Sequence, residues 1–307
     1  MNIKVLISIN KPYPVPDDPA YLPVYVGKYG RTLAAEKSAA GTDGSDGRTE
    51  GAAGTVTSPQ AGAAARSEGA SDVIRHDAAG RPYAFDHTGD NISDKNPYYC
   101  ELTALYWAWK NLDPKEAEYL GLVHYRRYFR GHYWWRKEST NILGNREMEQ
   151  LFREADLILP SKRRYGIETI ESHFRHTHEP EALDLTRDII REKYPDYIPT
   201  FDKVLRRRSA HMFNMMIARR SVADEYCAWL FDILDELENR LDITGYSDFE
   251  ARVFGRIAEM LLDVWVAHNR VAYTEVPFVF LEDTNWPRKI TRFLMAKYFN
   301  RKYKDNL

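Results

Sequence analysis

The chain has little cysteine and no long apolar run. Its two cysteines, Cys100 and Cys227, are too few for a disulfide scaffold or for a zinc site of four thiolates, and we expect both to be reduced. No stretch of about 18 uncharged apolar residues occurs, so no membrane-spanning helix is expected. The segment from Met1 to Ile9 lacks the features of a signal peptide. These absences predict a cytoplasmic protein.

Net charge is also small, because 43 Lys and Arg stand against 45 Asp and Glu, giving −2. This balance argues against a nucleic-acid binder, which needs a basic surface to attract phosphates. Aromatic residues, in contrast, are abundant: 7 Trp, 20 Tyr and 13 Phe make up 13% of the 307 residues. Such a content excludes a wholly disordered chain, and the length allows one large α/β domain or two smaller ones.

One segment, residues 34–72, differs from the rest in composition. It contains eleven Ala and seven Gly but no aromatic residue, and Val56 is its one larger apolar residue. A segment of this kind buries too little apolar surface to compensate for its ordering entropy, which predicts a disordered insertion. It has three basic and six acidic residues, so the rest of the chain keeps 40 basic and 39 acidic residues, a charge of about +1.

Outside this segment, short apolar runs alternate with amphipathic segments. Strands are predicted for residues 4–9, 119–123, 155–160, 212–217 and 271–281. Helices are predicted for residues 102–112, 222–239 and 248–268, where apolar residues recur at helical spacing. The alternation predicts an α/β fold with a mostly parallel central sheet and helices on both faces.

Residues 121–129 run from an apolar strand directly into His124, Tyr125, Arg126 and Arg127. Ligands of open α/β sheets bind at the carboxyl ends of the strands. The two arginines could hold a diphosphate through paired hydrogen bonds, and a tyrosine could stack on a base or a sugar. In the alternative interpretation, one arginine forms a structural salt bridge and the tyrosines belong to the core.

A second polar stretch, residues 87–101, comes just before the helix predicted at 102–112, whose amino-terminal amides favour an anion. The alternative is that Asp94 or Asn96 only caps that helix and Gly89 forms a turn. Further candidates lie in the loop after the first strand. From both places we take as candidate donor-binding residues Asn10, Lys11, Asp90, Asn91, Lys95 and Asn96.

Several multi-residue motifs resemble those of one bacterial family. They are Thr88–Ser93, Asn96–Thr103, Tyr106–Asn111 and Gly121–Phe129. The family was first described as a domain of unknown function, and members of it are assigned as galactofuranosyltransferases of capsule, O-antigen and exopolysaccharide biosynthesis. The resemblance covers nearly the whole chain except residues 34–72. One departure is Asn10, where relatives often carry histidine.

The resemblance implies a Rossmann-like, GT-A-type glycosyltransferase domain over residues 1–285, interrupted by the insertion and followed by a tail at 286–307. It implies a hexosyltransferase that moves galactofuranose from UDP-galactofuranose to a glycan or lipid-linked glycan with inversion. A transferase for another UDP-hexose is one alternative. A non-catalytic RNA or polyanion binder, built on residues 124–130 and the tail, is another. An oligomer is compatible with all of these.

An inverting transfer needs a general base near the acceptor hydroxyl. Asp248 is a candidate because it opens the helix predicted at 248–268, and Glu259 and Asp90 are two others. Alternatively, Asp248 is a helix cap with Arg252 as its ion-pair partner. The candidates for binding the acceptor or a sugar are His173, His211 and Asn214.

Metal binding is not expected to be essential. Most enzymes of this fold hold a divalent ion with an Asp-x-Asp pair after a central strand, whereas this chain has His124, Tyr125 and Arg126 there. A protein cation can replace the metal, so Arg126, helped by Arg127 or His124, is predicted to stabilise the departing UDP. The pattern His-x-x-His-x-His at residues 173–178 is a poor zinc set, because one helical turn aligns only two histidines.

The predicted tail at residues 286–307 has the composition of a basic amphipathic helix. Residues 286–304 include seven cations and no acidic residue, interleaved with Phe and Tyr. Such a basic amphipathic helix could lie on the anionic inner face of the plasma membrane, near a lipid-linked acceptor. The alternative is a helix docked on the domain.

Activity is predicted to survive the removal of Mg²⁺ or Mn²⁺. Sugar transfer measured in excess EDTA should stay within about twofold of the untreated rate, because protein cations take the metal's electrostatic role. Complete loss of activity that is restored by manganese would contradict this prediction.

Overall fold

The computed structural model describes residues 1–42, 73–132 and 141–281, except for the side chains of residues 38–42. The strands are β1 (Ile3–Ile9), β2 (Tyr21–Tyr25), β3 (Ile74–His76), β4 (Pro82–Phe85), β5 (Tyr119–His124), β6 (Arg127–Phe129), β7 (Leu157–Pro160), β8 (Arg163–Arg164), β9 (Ser209–Ala210), β10 (Met216–Arg219), β11 (Tyr273–Val276) and β12 (Phe278–Phe280). The helices are α1 (Gly27–Thr42), α2 (Asn96–Tyr99), α3 (Leu102–Asn111), α4 (Asn145–Leu151), α5 (Ile170–Thr177), α6 (Pro180–Lys193), α7 (Ile198–Leu205), α8 (Arg220–Arg240) and α9 (Val253–Asn269).

The central sheet follows the order β11-β7-β10-β5-β1-β2-β4-β3, with β6 and β12 attached beside β5. Strand β1 is at its centre and pairs in parallel with β5 and β2. The pairs β2 with β4 and β7 with β11 are also parallel, whereas β10 is antiparallel to both of its neighbours. The predicted α/β fold with a mostly parallel sheet is therefore confirmed.

Alternate residues of β1 supply two hydrophobic cores, as the period of a strand requires. Val5, Ile7 and Ile9 belong to one core, which α4 and the β6–β12 pair cover on one face of the sheet. Leu6 belongs to the other core, which is built with α3, α6, α7, α8 and α9 on the opposite face. All four side chains are at most 1% exposed. Helical cover is therefore much heavier on the face of Leu6.

Three predicted elements have different limits in the structure. The strand predicted at 212–217 begins only at Met216, because Phe213 and Asn214 form a turn. The helix predicted at 248–268 begins at Val253, after a 3-10 turn at Glu250–Arg252. The strand predicted at 271–281 is two strands, β11 and β12.

Helix α1 corrects the start of the predicted insertion. It extends through Thr42, so residues 34–42 are helical in backbone rather than disordered. Residues 43–72 lie outside the described part of the chain, as does the predicted tail at 286–307. Across the part that is described, no helix combines the length and apolar character that a membrane crossing needs.

Candidate active site

A cavity of about 520 Å³ opens at the carboxyl ends of β1, β2 and β5. The chain leaves β1 towards β2 on one side and returns to β5 on the other, so the cavity lies at a topological switch point of the sheet. Helices α2, α5 and α9 and the segment between β9 and β10 form its other walls. Its charged lining consists of Arg126, Arg127, Arg163, Arg252, Arg256, Glu101 and Glu259. Five arginines against two glutamates favour an anionic ligand.

Two consecutive left-handed residues, Phe213 and Asn214, organise the centre of the cavity. Their φ angles are 74° and 52°, a conformation that costs a non-glycine residue about 1–3 kcal/mol. The carbonyl of Phe213 accepts a hydrogen bond from Nε2 of His124 at 2.8 Å. The backbone N–H of Phe213 donates a hydrogen bond to the carboxylate of Glu259. Nδ2 of Asn214 donates to Oε1 of Glu101 at 2.6 Å. Groups from three separate parts of the chain are thereby held at one turn.

Glu101 is buried, with 8% of its surface exposed. Burial alone would raise the pKa of Glu101, but the nearby His124 and the hydrogen bond from Asn214 outweigh it and lower the pKa below its ordinary value. The Nε2 atom of His124 lies 3.5 Å from Oε1 of Glu101. Glu101 is therefore the carboxylate that stays ionised.

Glu259 has the opposite tendency. Burial, followed by the negative charge of Glu101, raises the pKa of Glu259 to about 7. The hydrogen bond from Phe213 and the charges of His124 and Arg127 oppose this shift but do not cancel it. The cavity thus has one carboxylate that stays ionised and one that exchanges a proton near neutral pH, a pairing suited to acid–base chemistry.

Arg127 is a partly desolvated cation in this group. Its guanidinium stacks over the rings of Phe213 at 4.3 Å and Phe280 at 5.3 Å. Its Nε is buried and has no hydrogen-bond partner among the residues that the structure describes. Burial, and then the charge of Arg126, lowers the pKa of Arg127. A buried donor without a partner suits a site that receives an anion.

His211, at the end of β9, is fixed by Asp263 on α9. The two side chains are 1% and 2% exposed. One oxygen of Asp263 lies 2.5 Å from Nδ1 of His211 and the other accepts the His211 N–H at 3.0 Å. Nε2 of His211 lies 3.4 Å from Glu275 on β11. This clamp anchors the segment that carries Phe213 and Asn214.

The histidine pattern on α5 is explained by a carboxylate. Glu168 lies 2.9 Å from Nδ1 of His173 and 3.0 Å from Nδ1 of His176. Burial lowers the pKa of His173, whose side chain lines the cavity. Throughout residues 1–42, 73–132 and 141–281, no three His, Cys, Asp or Glu side chains cluster as a metal site would need.

The structure brings many of the predicted residues to the cavity and leaves others elsewhere. Those that line it are Asn10, Asn96, His124, Tyr125, Arg126, Arg127, His173, His211 and Glu259. Lys11 lies over the ring of Tyr125, with Nζ 5.0 Å from its centroid. Asn214 is not part of the cavity lining. Its side chain donates to Glu101 and also to the carbonyl of Gly255 at 3.0 Å.

Asp90, Asn91 and Lys95 are not among the residues that line this cavity. The backbone of Asp90 exchanges hydrogen bonds with the side chain of Asn111 at 3.0 and 2.7 Å. Asn91 closes its own turn by donating to the carbonyl of Gly89 at 2.8 Å. Lys95 forms a 2.6 Å salt bridge with Glu238. The polar stretch at 87–95 therefore stabilises the fold, and the donor and catalytic roles expected of these three residues are not supported by their positions.

Asp248 is exposed and does not open α9. The residues that cap the start of this region are Ser247 and Glu250, since Oε2 of Glu250 accepts from the Ser247 N–H at 3.0 Å and Oγ of Ser247 accepts from the Glu250 N–H at 3.3 Å. Its neighbour Phe249 lines the cavity, whereas Asp248 does not. The expectation that Asp248 opens the helix is therefore wrong, as is the alternative that it caps the helix, and its place outside the cavity lining does not favour a role as the base.

Sequence reasoning missed several residues that line the cavity. Glu101 lies within a motif that carries the family resemblance, but its role depends on Asn214, 113 residues away. Arg163, His178 and Arg256 meet there only through the packing of β8, α5 and α9. No local pattern in the sequence marks Arg163 or Arg256, and the histidine pattern that includes His178 did not predict its place in this cavity.

A carboxyl group titrating near pH 7 is predicted for Glu259. In ¹³C NMR of glutamate-labelled protein, this titration should be absent in Glu259→Gln. In Glu101→Gln its midpoint should fall by at least about one pH unit, because a like charge has been removed while burial remains. Glu192→Gln, a change at a surface glutamate paired with Arg240, is the control and should leave the titration unchanged. An unchanged midpoint in Glu101→Gln would show that the two carboxylates do not interact.

Comparisons with known proteins agree with this architecture. No curated protein matches the chain. Among solved structures, the WbbM bifunctional glycosyltransferase in its apo form has the same fold, with a TM-score of 0.68 and 24% sequence identity. The match covers 92% of this chain and 46% of that one, so the chain spans less than half of its length. A family model described as a domain of unknown function, DUF4422, matches residues 71–270. Because this match spans more than half of the chain, the protein belongs to the DUF4422 family.

Proposed function

We propose that the protein is an inverting glycosyltransferase that moves galactofuranose from UDP-galactofuranose to a hydroxyl of a glycan or lipid-linked glycan in bacterial surface-polysaccharide synthesis. The observation that carries the proposal is the pairing, in one cavity at the switch point of the sheet, of five arginines with a half-buried glutamate, Glu259, whose pKa is raised to about 7. The fold shared with a bifunctional glycosyltransferase supports it.

Glu259 is the general base in this proposal. Its carboxylate accepts the proton of the acceptor hydroxyl as the oxygen attacks the anomeric carbon of the donor. The bond from that carbon to the diphosphate oxygen breaks, and UDP leaves with the bonding electrons. Since the pKa of Glu259 is near 7, the group is partly ionised at neutral pH and strong enough as a base to assist the transfer.

Arg126 and Arg127 stabilise the leaving group. Both come from the hairpin between β5 and β6, at the carboxyl end of a central strand, and both line the cavity. Negative charge grows on the diphosphate as the bond breaks, and fixed guanidinium groups in a partly desolvated site stabilise it strongly. Tyr125 and Asn10 lie at the same end of the cavity, where they can contact the nucleotide or the sugar.

The furanose form of the donor sugar rests on the motif resemblance. A direct assay supplies UDP-galactopyranose with and without a galactopyranose mutase, using octyl glycosides as acceptors. Transfer that needs the mutase supports galactofuranose as the donor sugar. Transfer without the mutase supports the alternative hypothesis, a transferase that uses another UDP-hexose.

Binding of UDP separates an enzyme of this class from a polyanion binder. UDP and UDP-galactose should raise the melting temperature of the full chain, whereas an RNA oligonucleotide should not, because Arg126 and Arg127 line a cavity of nucleotide size. Stabilisation by RNA without stabilisation by UDP would overturn the proposal.

Glu259→Gln is expected to lower the transfer rate by about 10²- to 10⁴-fold, because it removes the general base while keeping the shape of the side chain. UDP affinity measured by calorimetry should change little. Asp248→Asn and Asp90→Asn are the matched controls, since both carboxylates lie outside the cavity lining, and both should keep nearly normal turnover. A large loss in either control with normal turnover in Glu259→Gln would reassign the base.

A further inference from the structure

A second cationic group faces the cavity from helix α9. Arg252, Arg256 and Glu259 lie at helical spacing on α9 and the turn before it, and all three line the cavity. Arg256 precedes Glu259 by three residues, so the two side chains are neighbours on one helix surface, with Cβ atoms about 5–6 Å apart. These cations are on a different element from Arg126 and Arg127.

Arg256 is half-buried and makes two contacts that do not neutralise its charge. Its guanidinium lies 3.9 Å from the ring centroid of Phe249, and Nη1 lies 2.9 Å from Nδ1 of His178. Burial, followed by the charge of Arg256, lowers the pKa of His178 to about 3, so His178 is a neutral acceptor. Burial also lowers the pKa of Arg256 to about 10.

No carboxylate in the described part of the chain forms a salt bridge with Arg256. Its described contacts are a neutral imidazole and an aromatic ring, while Glu259 influences it only through space. A desolvated cation without a counter-ion is costly to keep in a fold. A ligand that brings a negative charge would remove that cost.

On the basis of the proposed function, we infer that the acceptor carries a phosphate or carboxylate group close to its attacking hydroxyl, and that Arg256 binds this group. In an inverting displacement the base and the leaving group lie on opposite sides of the anomeric carbon. An arginine one helical turn from the base is therefore on the acceptor side, whereas Arg126 and Arg127 hold the diphosphate. Phe249 stacks on the guanidinium of Arg256 and so fixes the orientation of the N–H groups that would bind the anion.

Calorimetry on the full chain saturated with UDP tests this inference. The probes are galactose, galacturonate and galactose 6-phosphate, which share a ring but differ in charge and in the kind of anion. The UDP-bound protein should bind at least one charged sugar about 10- to 100-fold more tightly than galactose, as expected for hydrogen bonds to a charged group. Comparison of galacturonate with galactose 6-phosphate distinguishes a carboxylate from a phosphate.

Arg256→Gln should abolish the preference for the charged sugar and leave UDP affinity unchanged, and Arg256→Lys should keep part of the preference. Arg175→Gln is the matched control, because Arg175 pairs with Asp184 and Glu171 away from this cavity. Loss of UDP affinity in Arg256→Gln would overturn the inference by assigning Arg256 to the donor. Equal binding of charged and neutral sugars by the native protein would also overturn it, whatever the variants do. Failure of the native protein to bind UDP would instead refute the proposed function.

Discussion

The site depends on the left-handed turn at Phe213 and Asn214. Three elements that are distant in sequence form hydrogen bonds with this turn: the start of α3 through Glu101, the end of β5 through His124, and the middle of α9 through Glu259. A strained backbone persists only when its surroundings fix it, and here those surroundings are the candidate catalytic groups themselves. The geometry of the carboxylates and the conformation of the turn therefore stabilise each other.

The sheet and its main helices could be predicted because their signals are local. Buried central strands are short apolar runs, and β1, β5 and β7 lie where such runs occur. The strand predicted at 212–217 was too long because this prediction also used only local sequence, and the alternation of apolar and polar residues there is typical of a strand. Only the hydrogen bonds to His124, Glu101 and Glu259 explain why the chain turns there instead.

The candidate site was predicted where one stretch of chain supplies several groups and missed where the groups meet through packing. Residues 124–127 follow one strand, so their common position at the sheet edge could be inferred. The polar stretch at 88–93 has a similar density of polar residues, yet they bind structural partners: Thr88 Oγ1 accepts from the indole of Trp107 at 2.9 Å, and Ser93 donates to the buried Asp86 at 2.6 Å. Polar density alone does not distinguish a ligand site from a hydrogen-bonded turn.

The central position of β1 bears on how a fragment of this protein can be expressed. The family match begins at residue 71, after β1 and β2, although β1 pairs with both β5 and β2. A fragment cut at that limit would lack the middle strand of its sheet and leave the hydrogen-bonding edge of β5 open, which favours aggregation. It would also lack Ser8 and Asn10 from the cavity wall. The unit that folds therefore begins well before the segment by which the family is recognised.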